Sequence, residues 1–133
     1  MATLKPGDVI FDEARPGASR EQLVQFSAGT EDPNPVHTDD AFAKRAGFAT
    51  VLQQGPMTTA HFGMLLAARF GARLKTLDVT FTAPVYVGDA LRLTAKVDSV
   101  GDEIVCALAA HKPDGTQTAR GTATIRAEGA ARP

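Results

Sequence analysis

Cysteine, tryptophan and long apolar runs are scarce or missing in this sequence, and each shortage closes off a class of protein. The single cysteine, Cys106, rules out an internal disulfide. It lies within the apolar run Ile104–Ala110 and reads as a small buried hydrophobe, not a reactive thiol. The longest apolar stretch, around Met64–Ala68, is far short of the roughly 20 residues that span a bilayer. Met1–Phe11 shows no basic segment followed by an apolar one, so no secretory signal is read there, and a cytoplasmic protein without a membrane partner is expected. A formal net charge of −1 provides no basic excess to hold nucleic acid by bulk electrostatics. Neither G-x-x-x-x-G-K nor G-x-G-x-x-G occurs, so no phosphate-cradling loop is expected. The serines are Ser19, Ser27 and Ser99, none in a nucleophile elbow. No His, Cys and Asp residues share a metal-ligand spacing, so neither a metal nor a cofactor is expected.

What remains is a chain of 133 residues, read as one domain over 1–133. Val9–Asp12 alternates apolar and polar, as a short strand does, and Arg15-Pro16-Gly17 breaks it. Ser19 and Gln22 have capping-box spacing before a helix ending near Gly29. Asp39 or Asp40 can cap a short helix over Ala41–Ala46, stopped by Gly47. The longest helical candidate opens at Gly55-Pro56 and closes at Gly71. Apolar residues fall on all its faces, which predicts a buried helix. Four Val-, Thr- and Leu-rich segments follow: Arg73–Val87, Ala90–Val100, Glu103–Lys112 and Gln117–Ala127. Close-set turn signals at Gly88-Asp89, Gly101-Asp102 and Pro113-Asp114-Gly115 favour antiparallel hairpins over crossover helices. Helices first and strands after is an α+β pattern, with an antiparallel sheet wrapped around one long central helix.

The segment that carries chemistry is Asp32-Pro33-Asn34-Pro35-Val36-His37. It gathers a carboxylate, an amide and an imidazole on a backbone stiffened by two prolines. Proline fixes φ near −65° and pushes the preceding residue out of the helical region, so Asp32 and Asn34 are disfavoured in a helix and a rigid, extended loop is predicted. A carboxyl group with an ordinary pKa of about 3.9 and an imidazole at about 6.5 can share proton transfers on one substrate. The plainer reading is a Pro-rich turn held by Asx-type hydrogen bonds, with a solvent-facing histidine. Of the other histidines, His61 reads as a core or interface residue and His111 as solvent-facing.

These residues resemble the hydratase motif of the MaoC-like, R-specific enoyl-CoA hydratases. The resemblance continues in order along the chain. Val51-Leu52-Gln53-Gln54-Gly55-Pro56-Met57 is similar to the start of that family's central helix, and Phe81-Thr82-Ala83-Pro84-Val85-Tyr86-Val87-Gly88-Asp89-Ala90-Leu91 to its F-x-x-P-V-x-x-G-D-x-L strand junction. It covers about Val9 to Ile125. The resemblance implies a hot-dog fold, an acyl thioester substrate and a homodimer. It implies hydration of a trans-2-enoyl thioester to the (3R)-3-hydroxyacyl thioester, or the reverse. In that reading Asp32 and His37 are the acid/base pair, Asn34 orients the water or the histidine, and the Gly55 N–H binds the thioester carbonyl. The last role has a separate warrant, since the first N–H groups of a helix are unsatisfied and lie at its positive end. Many relatives carry histidine where this chain has Gln54, which cannot titrate; a changed substrate preference is the expectation. The carrier, coenzyme A or an acyl carrier protein, stays open, and so does the acyl group, branched or steroid chains included. A coenzyme A would be held by scattered basic side chains such as Arg69, Arg73, Lys75 or Arg92. Gly63, Ala67 and Ala68 would leave room for an acyl tunnel. Two other functions fit a hot-dog chain: an acyl-CoA thioesterase, and a non-catalytic subunit that completes a heteromeric hydratase.

Overall fold

The computed structural model describes residues 3–128; positions 1–2 and 129–133 of the domain expected over 1–133 lie outside the described residues. Five strands form one antiparallel sheet: β1 (Val9–Arg15), β2 (Leu74–Phe81), β3 (Leu91–Val100), β4 (Glu103–His111) and β5 (Gln117–Arg126). Their spatial order is β1-β3-β4-β5-β2, so β1 and β2 are the edges. This is the hot-dog fold, with the long helix α3 (Gly55–Phe70) lying on the sheet.

Alternation dictates which face of the sheet meets that helix. Leu91, Leu93, Ala95 and Val97 on β3, and Ile104, Cys106, Leu108 and Ala110 on β4, all point into the core. Ala119, Ala123 and Ile125 continue the layer on β5. Phe62, Leu66 and Phe70 of α3 recur every fourth residue and fill the space above the small alanines. Cys106 is fully buried here, and burial pushes its thiol pKa upward. The helix is not buried on all faces, contrary to the expectation from its composition. Ala60, Met64, Ala67 and Ala68 form an exposed stripe, with Met64 59% exposed.

A second, smaller core lies at the N-terminal end of α3. Ala18, Leu23, Val36, Ala43, Val51 and Met57 pack together beneath α1 (Arg20–Thr30) and α2 (Asp40–Arg45). The Ser19–Gln22 capping box is present on α1. Asp39 caps α2, accepting from the Ala41 and Phe42 N–H groups. Asp40 does something else: it accepts from the Thr50 hydroxyl and the Val51 N–H and pairs with Arg20 at 2.9 Å, tying α1, α2 and the segment before α3 together. Those hydrogen bonds, Thr50 first and then Arg20, lower the Asp40 pKa. The expected strand Arg73–Val87 is shorter, ending at Phe81. Beyond it Pro84 removes a donor and Gly88 takes φ +82°, and the chain turns to dock on Val51–Gln53 through Gln53 N–H to Val85 O and Val87 N–H to Val51 O.

Candidate active site

The Asp32–His37 segment is two Asx turns in series. The Asp32 Oδ1 accepts from the Asn34 N–H at 3.1 Å, and the Asn34 Oδ1 accepts from the Val36 N–H at 3.1 Å. Each proline follows the acceptor residue, where its missing N–H costs no hydrogen bond. The predicted extended loop therefore holds through Asn34 (φ −62°, ψ 115°), but Pro35–His37 closes into a 3-10 turn with Asn34 as its cap. The turn hydrogen bonds and the histidine are features of one structure, so the two sequence readings do not exclude each other. Buried Val36 anchors the turn in the smaller core.

Leu52 then fixes the imidazole. Its N–H donates to Val36 O at 3.0 Å, and its carbonyl lies 2.9 Å from His37 Nδ1. A carbonyl can only accept, so Nδ1 carries the proton and Nε2 is the nitrogen turned toward Asp32. His37 Nε2 and Asp32 Oδ2 are 3.4 Å apart, with the His37 side chain 12% exposed and that of Asp32 39%. Two polar atoms at that separation can both lie within about 2.8 Å of one oxygen atom. The pair stands between two spaces. His37 lines a partly open cavity of about 200 Å³, and Asp32 lines an open groove beside α1 with Val24, Ser27 and Glu31.

The same cavity is lined by Gln54, Gly55, Thr58, Phe81 and Thr118. Gly55 begins α3, and among the described residues no backbone or side-chain acceptor takes its N–H. Its φ is not positive, so conformational freedom is not why glycine stands there. The reason is contact: a Cβ at Gly55 would meet the Phe81 ring at 2.6–2.9 Å. Gln54 is 1% exposed, and its Nε2 donates to Leu23 O and Ser27 Oγ, each at 2.8 Å.

Leu52 and Phe81 are the residues that sequence reasoning misses. Phe81 opens the quoted strand-junction motif, but nothing in the local sequence points its ring at Gly55. The four basic residues named for coenzyme A are already engaged. Arg69 donates to Ile10 O, Arg73 to Arg126 O, Lys75 pairs with Glu103 and Arg92 with Asp12. Arg69 and Arg73 also lie at the far end of α3, about 20 Å from Gly55 at 1.5 Å per residue. His111 is half-buried, and His61 is partly buried with Nδ1 lacking a partner among the described residues. Gly63 faces Leu77, whereas Ala67 and Ala68 are exposed. No cluster of three His, Cys, Asp or Glu side chains arranged for a metal occurs among the described residues.

The family model described as "MaoC like domain" matches residues 5–116. The chain belongs to the MaoC-like family. One curated relative, the mitochondrial 3-hydroxyacyl-acyl-carrier-protein dehydratase FERN of Solanum lycopersicum, is 37% identical over 98 residues, covering 73% of this chain and 57% of its own length. Another, the (R)-specific enoyl-CoA hydratase of Aeromonas caviae, is 33% identical over 102 residues, covering 74% and 70%. This MaoC-like chain thus spans little more than half the length of the first of them. The solved (R)-hydratase from A. caviae superposes with a TM-score of 0.84 at 22% identity, over 95% of this chain and 98% of that one. Hydratases and dehydratases of acyl thioesters are thus among the relatives of this MaoC-like chain.

Proposed function

We propose that the protein interconverts trans-2-enoyl and (3R)-3-hydroxyacyl thioesters by adding or removing water. The observation that carries this reading is the Asp32 and His37 pair, 3.4 Å apart, with the imidazole held by Leu52 so that Nε2 faces the carboxylate. A water held by both atoms attacks C3. As its oxygen bonds to C3, one O–H bond breaks and the proton passes to the pair. The C2–C3 π electrons move toward the thioester carbonyl, and C2 then takes a proton back from the pair. Negative charge gathers on the carbonyl oxygen meanwhile. The Gly55 N–H, at the positive end of α3, is the donor for it, and such donors typically contribute about 3 kcal/mol of transition-state stabilisation. Asn34 acts as a positioning residue, since its Oδ1 is spent on the turn that carries His37.

The test is incubation of the pure protein with crotonyl-CoA and with the matching acyl-carrier thioester. Loss of enoyl absorbance supports the reading, and the faster of the two names the carrier. Release of free thiol would identify a thioesterase. No change with either, in folded protein, would favour a non-catalytic subunit.

The same reading includes a homodimer. Ala60, Met64 and Ala67 leave an apolar stripe on α3, and β1 and β2 are open edges that a second copy can cover. Light scattering that gives the 14.0 kDa mass of one chain at micromolar concentration would overturn it.

A further inference from the structure

Gln54 holds the acceptor that the proposed mechanism leaves unused. Leu23 O can only accept, so the Gln54 nitrogen must face it, and Ser27 Oγ takes the second N–H. The amide cannot be turned round without setting two carbonyl oxygens against each other. Its Oε1 is therefore fixed in place, buried, and without a donor among the described residues. A buried amide oxygen without a donor destabilises the fold, and such a group in a native structure points to a partner. Gln54 lines the cavity that His37 and Gly55 share. Its anchor Ser27 also accepts, through its backbone carbonyl, from the Asp32 N–H at 2.9 Å. Through Ser27 the Gln54 amide is thus tied to the backbone of Asp32.

An acceptor selects for a donor. An enoyl thioester offers none near its reacting carbons, and its carbonyl oxygen would be repelled. The hydroxyl on C3 of the hydroxyacyl thioester, which is the attacking water in the opposite direction, is a donor. We infer that Gln54 Oε1 accepts a hydrogen bond from the C3 hydroxyl group, making Gln54 a positioning and specificity residue that distinguishes 3-hydroxyacyl from enoyl and saturated thioesters. The inference rests on the hydratase reading. It also gives Gln54 a role that does not require titration.

Calorimetric dissociation constants for (3R)-3-hydroxybutyryl-CoA and for butyryl-CoA, which lacks the hydroxyl, test it. Gln54→Met keeps the length of the side chain and removes the acceptor. It should reduce the preference for the hydroxyacyl thioester about tenfold, acting on that ligand alone. Ser27→Ala removes one anchor and keeps the acceptor, so it should lower the melting temperature and keep the preference. An unchanged preference in Gln54→Met, or equal weakening of both thioesters, would overturn the inference and leave Gln54 as packing. If Gln54→Met does not fold, the unmutated protein decides. The Gln54 side-chain amide ¹⁵N–¹H resonance should shift with the hydroxyacyl thioester and not with butyryl-CoA, and equal shifts would overturn the inference. A protein that neither turns over crotonyl-CoA nor binds either thioester defeats the hydratase reading itself, and the inference with it. Turnover of crotonyl-CoA together with an indifferent Gln54 defeats only the inference.

Discussion

Placing a methyl group on Gly55 probes the tightest contact in the site. A Cβ there would stand 2.6, 2.8 and 2.9 Å from Cε2, Cζ and Cδ2 of Phe81. Relaxed carbon contacts are about 3.5–4.0 Å, so the ring must retreat by roughly 1 Å. Overpacking costs about 1–3 kcal/mol, and the low end applies because Phe81 is 48% exposed and has room to move. Alanine accepts the backbone of Gly55 without strain, which recovers about 0.4–1 kcal/mol through a less free unfolded chain. Gly55→Ala should therefore fall between neutral and about 2 kcal/mol destabilising. In a Phe81→Ala background the clash is gone, and the same substitution should change sign and stabilise by up to about 1 kcal/mol. Melting temperatures of the four proteins read this at about 3–4 °C per kcal/mol for a chain of this size. Activity should follow the ring as well. Gly55→Ala should lower kcat/KM about tenfold, and the double variant should be no slower than Phe81→Ala alone, a coupling within the usual range for residues in contact. Additive effects in the melts would refute the packing argument. Additive effects on rate, with coupled melts, would show that the methyl group itself blocks the thioester.

Asp32→Asn and His37→Ala should each lower turnover by roughly 10²–10⁴-fold with native-like circular dichroism, since the prolines and Asx bonds set the loop; near-normal hydration by either would disprove the acid/base assignment. Asn34→Ala removes the cap on the turn carrying His37 and should cost about 1 kcal/mol of stability, read from urea midpoints, along with a fall in kcat that Asn34→Asp largely restores. Burial first, and the nearby Arg15 charge second, hold the His61 pKa below 6.5. Folded His61 therefore resists protonation that the unfolded chain accepts, so its contribution is neutral above about pH 7 and increasingly destabilising as pH falls through 6.5. His61→Gln should flatten the loss of stability between about pH 7 and pH 5, measured as urea midpoints beside the parent protein.

The sequence was most legible where the chemistry is local. The Ser19–Gln22 box, and Pro56 and Gly71 at the two ends of α3, are decided by residues three or four apart or by single backbone constraints, and they stand where expected. The Asp32, Asn34 and His37 cluster is legible for the same reason, since one stiff loop supplies all three. Errors arise where tertiary context decides. Val85 and Val87 have strand propensity, yet they leave the sheet to dock on Val51–Gln53, a partner more than thirty residues earlier. Apolar composition in α3 cannot tell residues facing the sheet from Ala60, Met64 and Ala67, which face away from it.

This division between local and non-local signals runs through the site itself. The groups proposed to move protons lie five residues apart in one segment, but the groups that orient them come from elsewhere: Leu52 for the imidazole ring, Leu23 and Ser27 for the Gln54 amide, Phe81 for the surface of Gly55. A motif can name the acid and the base because their spacing is short. It cannot name Leu52, because what matters there is a backbone carbonyl, which every residue type offers. Nor can it assign Gln54, where the deciding fact is which side of an amide faces a carbonyl thirty-one positions earlier. Substitutions at Gln54 or Phe81 change the amide or the ring placement without touching the reacting pair. Differences in substrate preference among chains sharing the Asp-x-Asn-x-x-His pattern should accordingly concentrate there, and exchanging residues 52–54 between two such chains should carry acyl preference with it while leaving the reaction the same.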